Sequence, residues 1–330
     1  MLVIVANEFD IHTDAVILAL RERGFKDLLR IDLETVLDRF QFAVSATDIL
    51  TGCIHGHGDS VIELSDIHTV WWRRSSSQIG VDYLNVPPPD QLDRAEAYWT
   101  VRWLLECFPA RLFPMGHPYA MRAGENKLAQ LRIAPLAGLL PPATIASNEQ
   151  EKLLKFLDGR EDVIVKPLHT PVVPGKDGED VSLIAISVRS ADLRDMISNT
   201  QTTFLFLQER VPKIYDVRVN VFPGRAVACR IDPAPGLEEV DWRPVTASCP
   251  HSIIDLPARI ESSCRAFLEL MGLKWGAFDF GVTASGDWIF FECNPNGQWL
   301  WIELQTKYKL ASIVADELLK HYTGSKCMSK

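Results

Sequence analysis

The stretch GAFDFGVTASGDWIFFECNP, residues 276–295, constrains the fold more than any other part of this sequence. It reads as two strands turning at Ser285-Gly286-Asp287, a hairpin. Side chains alternate along a strand, so Glu292 and Asn294 share one face and Cys293 points away, buried and inert. Asp279 lies on the partner strand. Three oxygen donors on one hairpin form a hard-ligand set of the kind Mg2+ uses when it bridges phosphates. A solvated strand end entering a turn is the other reading of the same residues.

The rest of the chain sets the class. At 330 residues, 47% hydrophobic and 23% charged, it has an ordinary globular composition and room for two or three lobes. A net charge of −9 argues against non-specific binding of nucleic acid. No stretch reaches the roughly 18 uninterrupted apolar residues of a membrane span. The N-terminal MLVIVANEFD lacks the basic region of a signal peptide and reads as a first strand, so a cytoplasmic location is expected. The seven cysteines are scattered without a CxxC pair, as reduced packing thiols would be.

Strand and helix alternate at the start: a strand at Met1–Asn7, a helix at Asp10–Arg23 closed by Gly24, and strands at 27–34 and 68–74. This predicts a small open α/β lobe. After the VPPPD break at 86–90, Gln91–Phe108 reads as an amphipathic helix with Trp99, Trp103 and Leu104 on one face. Further on come a helical stretch at 125–140, a short helix at Gln150–Asp158 and a strand at 163–168. A charged, glycine-rich hairpin tip occupies 174–182, followed by a strand at 203–211 and a hairpin at 215–232. Helices are predicted at Ile253–Met271 and Ser312–His321.

Two lysines stand out. Lys166 ends the apolar run Val163-Ile164-Val165, where a lysine either snorkels or meets an anion. Lys127 opens a helical stretch, where a cation opposes the helix dipole. Together with the hairpin carboxylates and the polar hinge Gln208-Glu209-Arg210-Val211, they suggest a nucleotide held between two sheets. The hinge backbone then meets the adenine edge, the lysines hold phosphates, and Asp279, Glu292 and Asn294 hold the metal.

In their order and spacing these blocks resemble the ATP-grasp ligases, and among them the maturases that crosslink ribosomal peptides, the microviridin-type or graspetide ligases. The resemblance covers nearly the whole chain: VWWRR (70–74), ENKLAQLRIAPLAGLLPPATIASN (125–148), VIVKPL (163–168), FLQERV (206–211), YDVRVNVF (215–222), VDWRP (240–244) and GAFDFGV…FFECNPNGQWLWIE (276–303). It implies an α+β chain with an ATP-grasp fold of three lobes. An N-terminal pre-ATP-grasp α/β lobe (1–115) precedes a central lobe (116–202) and a C-terminal lobe (203–330), and these last two sandwich ATP.

The resemblance also implies ATP and Mg2+ as cofactors. Nucleotide binding falls to Lys127, Lys166, Gln208, Glu209, Arg210, Val211 and Asp216, and metal binding to Asp279, Glu292 and Asn294. Arg218, Arg230 and Arg243 are implied to meet the transferring phosphate, although Arg230 also reads as a surface partner of Asp232. Arg73 and Arg74 are implied to bind substrate; adjacent strand residues face opposite sides, so at most one of them points at a given pocket.

The implied reaction is carboxylate activation. ATP phosphorylates Asp or Glu side chains of a ribosomal precursor peptide, and a Thr or Ser hydroxyl displaces phosphate to close an ω-ester macrocycle. A Lys amine forming an amide, a ligase that adds free amino acids, and an ATP-binding module without chemistry share the same ATP-site residues. A homodimer is expected, with the precursor's leader at the hairpin PGKDGEDVS (174–182) and the helix from Ala191; that hairpin also reads as a solvated loop. Trp299 and Trp301 read as packing residues. His55 and His57 have metal-pair spacing but no third ligand near, and His117 and His169 are candidates for phosphate contact.

Overall fold

The computed structural model of the chain describes residues 1–45, 47, 52–56, 61–73, 92–168, 172–174, 180–182, 185–199, 204–234 and 242–328. The first strand, β1 (Leu2–Val5), is buried at every position, as an all-apolar run must be in the middle of a parallel sheet. Helix α1 (Ile11–Glu22) follows. Its N-cap Asp10 accepts from the Thr13 amide at 2.7 Å, and Gly24 closes it at φ +76°. Strand β2 (Leu28–Ile31) pairs parallel to β1. A short helix α2 (Val36–Arg39) leads to a small antiparallel sheet of β3 (Gln41–Ala43), β4 (Cys53–His55) and β5 (Val61–Glu63). Strand β6 (Thr69–Trp72) then pairs with the other edge of β1. Helix α3 (Leu92–Glu106) buries Tyr98, Val101, Leu104 and Leu105 in the same core. Trp103, expected on that face, is 51% exposed, because the buried stripe follows helical spacing through 98, 101 and 105 and leaves 103 outside it.

Helices α4 (Pro118–Gly124) and α5 (Lys127–Ile133) come next. The sequence groups them with the central lobe, yet Met121, Ala134 and Leu139 pack into the core of the C-terminal sheet. The central segment contains β7 (Thr144–Ser147), α6 (Gln150–Phe156), β8 (Asp162–Val165), the ribbon of β9 (Val172–Pro174) and β10 (Asp180–Ser182), β11 (Ile186–Arg189), α7 (Ser190–Asn199) and β12 (Leu205–Glu209). Four of these strands form an antiparallel sheet in the order β11-β8-β12-β7. Leu153, Leu157, Leu193 and Ile197 of the two helices cover one face, against Val163 and Leu207. Alternation puts Ile164, Lys166, Phe206 and Gln208 on the other face. Strand β12 therefore belongs to the central sheet, although residue 203 opens the C-terminal lobe in the sequence reading.

The C-terminal sheet runs β15-β14-β13-β16-β17. Its strands are β13 (Lys213–Val221), β14 (Ala226–Ile231), β15 (His251–Ile254), β16 (Gly276–Thr283) and β17 (Trp288–Asn294), all antiparallel. Helix α8 (Ala258–Leu270) presses Ile260, Cys264, Phe267 and Leu268 onto Val217, Val219, Phe278, Phe280 and Phe290. The predicted helix from Ile253 begins later: residues 251–254 are strand, and the helical stripe starts only after Pro257, which cannot continue a helix from its N-terminal side.

Helix α9 (Leu300–Thr306), absent from the sequence reading, and α10 (Leu310–Met328) end the chain. Leu310, Val314 and Leu318 of α10 join Trp299 with Leu2, Ile4 and Trp71 in one core, which fixes the N-terminal sheet against the end of the hairpin. Among the described residues no helix is long and apolar enough to cross a membrane.

Candidate functional site

One face of the C-terminal sheet is core; the other is polar. The register pairs Arg218 with Asp279, Asp279 with Glu292, and Ala277 with Asn294. Directly opposed residues point the same way, so Arg218, Asp279 and Glu292 form a row across three strands with Asn294 beside it. Arg218 Nη1 lies 3.1 Å from both Asp279 oxygens, and each residue is nearly buried. Glu292 Oε2 is 3.6 Å from Lys127 Nζ. Asn294 Oδ1 accepts from the Asn296 amide at 3.0 Å.

The hairpin is held from behind. Gln130, buried on α5, donates Nε2 to the carbonyls of Cys293 (2.6 Å) and Gly124 (2.7 Å), and its Oε1 accepts from the Cys293 amide at 2.8 Å. The backbone between Glu292 and Asn294 is therefore held through both its donor and its acceptor. Cys293 Sγ fills the space that a Cβ on Gly276 would occupy, at 2.5 Å. Burial pushes this thiol well above its ordinary pKa, and the side chain is buried as the alternation predicts.

A β-bulge interrupts the hairpin beside Glu292. Asp279 opposes Glu292, but Phe280 opposes Phe290, so Phe291 is the extra residue. Phe290 goes to the core while Phe291 turns to the polar face. Its ring lies over Gly281, where a Cβ would come within 2.7 Å of Phe291 Cζ. Lys213 Nζ sits 5.7 Å from the ring centroid and is held there by both oxygens of Asp216, at 2.6 and 2.7 Å. Sequence reasoning missed Phe291 because alternation alone sends it away from the ligands; the doubled Phe before Glu292 was the signal.

On the central sheet, Lys166 Nζ donates to Gln208 Oε1 at 3.0 Å and lies 5.4 Å over the Phe206 ring. Gln208 Nε2 donates to Thr144 Oγ1 at 3.0 Å. Lys127 joins the two sheets: its ammonium donates to the Pro167 carbonyl at 3.3 Å while facing Glu292. Glu209 Oε2 accepts from the Ala143 amide.

The donor set fits a hard divalent cation: two carboxylates and an amide oxygen converge on one face, next to cations suited to phosphate. Among the described residues no group of three His, Cys, Asp and Glu converges on a metal position, so the set depends on the amide of Asn294 as its third member.

Other candidates lie elsewhere. Arg230 is out of phase with Arg218: it pairs with Val217, on the core-side face. There it stacks 3.9 Å over Tyr215 and donates to Asp232 at 2.5 Å, a hydrogen bond that raises its pKa further. The partner of Asp232 is thus the reading the geometry favours. Arg210 points outward to Asp162 at 2.9 Å, and Val211 accepts from the Lys213 amide through its carbonyl. Arg243 opens a 3-10 turn, with its side chain outside the described residues; Arg74, His57 and His169 lie outside them altogether, as does most of the 174–182 hairpin. His117 caps α4, Nδ1 accepting from the Tyr119 amide and Nε2 meeting the Glu106 carbonyl, so both ring nitrogens are engaged within the protein. His55 faces Cys53 at 3.2 Å. Arg73 is buried, its guanidinium on Asn296.

No protein-family model matches this chain, and no curated protein matches it in sequence. Solved structures do. Macrocyclase MdnC of Microcystis aeruginosa, bound with the precursor peptide MdnA, matches with TM-score 0.78 at 23% identity, over 97% of this chain and 99% of that one. A RiPP-associated ATP-grasp ligase of Chryseobacterium gregarium, in complex with ADP and a leader and core peptide, matches with TM-score 0.81 at 22% identity, over 97% and 96%. ATP-grasp ligase PsnB, complexed with a minimal precursor, Mg and ADP, matches with TM-score 0.74 at 20% identity, over 97% of both chains. The chain has the fold of these ATP-grasp ligases, and the α+β class expected from its sequence is the one observed.

Proposed function

We propose that this chain is an ATP-dependent ligase that activates carboxylates of a peptide. The observation that carries the proposal is the row Arg218–Asp279–Glu292 with Asn294 alongside, linked by Lys127 to Pro167, next to Lys166 at the end of β8. Phosphoryl transfer needs charge neutralisation and in-line positioning more than covalent help, and this face supplies both. Asp279, Glu292 and Asn294 would hold Mg2+, which would supply neutralisation of phosphate charge there.

Lys127 and Lys166 are the phosphate cations. Phe291, whose ring tip reaches Gly281 and whose face meets Lys213, offers a stacking surface for the adenine at the other end of the nucleotide. Arg218 is the arginine suited to the transferred phosphoryl group, since Arg230 turns to the opposite face. The peptide carboxylate attacks the terminal phosphorus of ATP; ADP leaves, and the acyl phosphate forms.

The second half-reaction is capture of that acyl phosphate. A Thr or Ser hydroxyl of the same peptide attacks the acyl carbon, loses its proton, and phosphate leaves with its electron pair, closing an ω-ester ring. The acyl phosphate supplies the activation that a weak hydroxyl nucleophile lacks. A Lys amine giving an amide is the second reading, because one pocket can present either nucleophile. Mass spectrometry of a cognate precursor incubated with the enzyme and Mg·ATP tests this. Each bond removes one water, and mild alkaline hydrolysis restores it if the bonds are esters. Losses that survive alkali give the amide reading, and no loss at all ends the ligase proposal.

A further inference from the structure

We infer that Arg73 is a positioning residue through which the N-terminal lobe sets the aim of Asn294, an inference that rests on the nucleotide and metal reading above. Arg73 follows β6 at the carboxyl end of the parallel sheet and is 1% exposed. Its amide donates to the Val5 carbonyl at 2.9 Å, which fixes the base of the side chain. Its Nη1 donates to the Asn296 carbonyl at 2.9 Å and to the Asn296 side-chain oxygen at 2.6 Å. Asp10, while capping α1, holds Oδ2 3.7 Å from Arg73 Nε.

The grip passes on to the ligand. The Asn296 amide donates to Asn294 Oδ1 at 3.0 Å. A backbone N–H meets only an acceptor, so this bond decides that the oxygen, and not the NH2, of the Asn294 side chain lies on this side, leaving its second lone pair for a cation. The turn has no slack to absorb a shift. A Cβ on Gly297 would come within 2.4 Å of Ala277 Cβ, so the turn is pressed onto β16. Its far end is tied to the first turn of α1, the helix that Asp10 caps, the Trp299 amide donating to His12 Nε2 at 3.1 Å. A guanidinium this buried, with Nη1 held by both oxygens of Asn296, is built for orientation and not for capturing a substrate carboxylate from solvent.

The test uses the full-length enzyme with ADP as the probe, its affinity measured by calorimetry in EDTA and across a Mg2+ series. Arg73→Lys keeps the charge and loses the Nη1 that meets both oxygens of Asn296. It is expected to raise the Mg2+ needed for half-maximal tightening about tenfold or more, with the EDTA affinity unchanged. Asn296→Ala, which removes one of the two acceptors, shifts the requirement in the same direction even if the arginine variant folds poorly, and the double variant goes no further than the worse single one. Folded variants with the wild-type Mg2+ requirement but weaker precursor binding would make Arg73 a substrate contact and overturn the inference. Wild-type enzyme that binds ADP with no Mg2+ dependence would remove the nucleotide reading itself, and this inference with it.

Discussion

Arg218 and Asp279 face each other from neighbouring strands, 3.1 Å apart and less than a tenth exposed. Taking away one partner strands a buried charge, which costs about 3–5 kcal/mol, whereas replacing both with apolar residues is near neutral. Asp279→Leu alone is therefore expected to lower the denaturation free energy by that amount. Asp279→Leu with Arg218→Met recovers most of the stability and no turnover. Equal stability of the single and double variants in urea titration would mean that the pair is not the compensated unit described here.

Gly281 and Phe291 make a second, separable prediction. A methyl at 281 collides with the ring at 2.7 Å, so Gly281→Ala tilts Phe291 off the sheet. Base–aromatic stacking is worth about 1–3 kcal/mol, so the ATP KM rises roughly ten- to hundredfold with a smaller change in kcat. Steady-state kinetics with varied ATP would show it, and an unchanged KM removes Phe291 from the adenine.

Lys127 is partly exposed and makes one weak hydrogen bond and one ion pair of 3.6 Å. Its contribution to folding is accordingly small, under about 1 kcal/mol. If it neutralises phosphate charge, Lys127→Met lowers kcat/KM by roughly 10²–10³ with the melting temperature almost unmoved. A variant that melts early but keeps its kcat/KM would make the lysine a structural strut.

His251 gives a pH dependence unrelated to catalysis. Burial beside Trp301 holds its pKa below the ordinary 6.5, against the opposing pull of the Cys249 backbone and the Asp232 charge. The unfolded chain thus takes up the proton first as pH falls. The stability that His251 contributes is complete above 6.5 and is lost as pH drops from there toward the lower folded value. His251→Gln should flatten the fall in melting temperature between about pH 7 and pH 5; parallel curves would contradict this.

What the sequence could reveal depended on how local the cause was. Alternation within a hairpin is local, so the shared face of Glu292 and Asn294 was readable, as were the apolar runs of β1 and β8. Register is a property of two strands together. The bulge that turns Phe291 to the face of Asp279 and Glu292, and the phase that turns Arg230 away from it, could not be read from either strand alone. Gln130 and Cys293 are 163 residues apart in the chain, and Arg73 and Asn296 are 223 apart. Nothing in the composition of a helix or a strand end announces such a partner. Helix α9 was missed because its two buried apolar residues, Leu300 and Ile302, follow a turn-like NPNGQ run and are too few to set a period.

The central claim is that each bond made in the peptide consumes one ATP at the Asp279–Glu292–Asn294 face. Its most direct measurement pairs ADP counting with mass spectrometry on one reaction of enzyme, Mg·ATP and a Thr/Ser- and Asp/Glu-rich precursor peptide. One ADP for every water lost from the peptide is the predicted result, with both falling to background in a folded Glu292→Gln variant. Water loss without matching ADP, or full activity in EDTA or in the Glu292→Gln variant, would contradict the account.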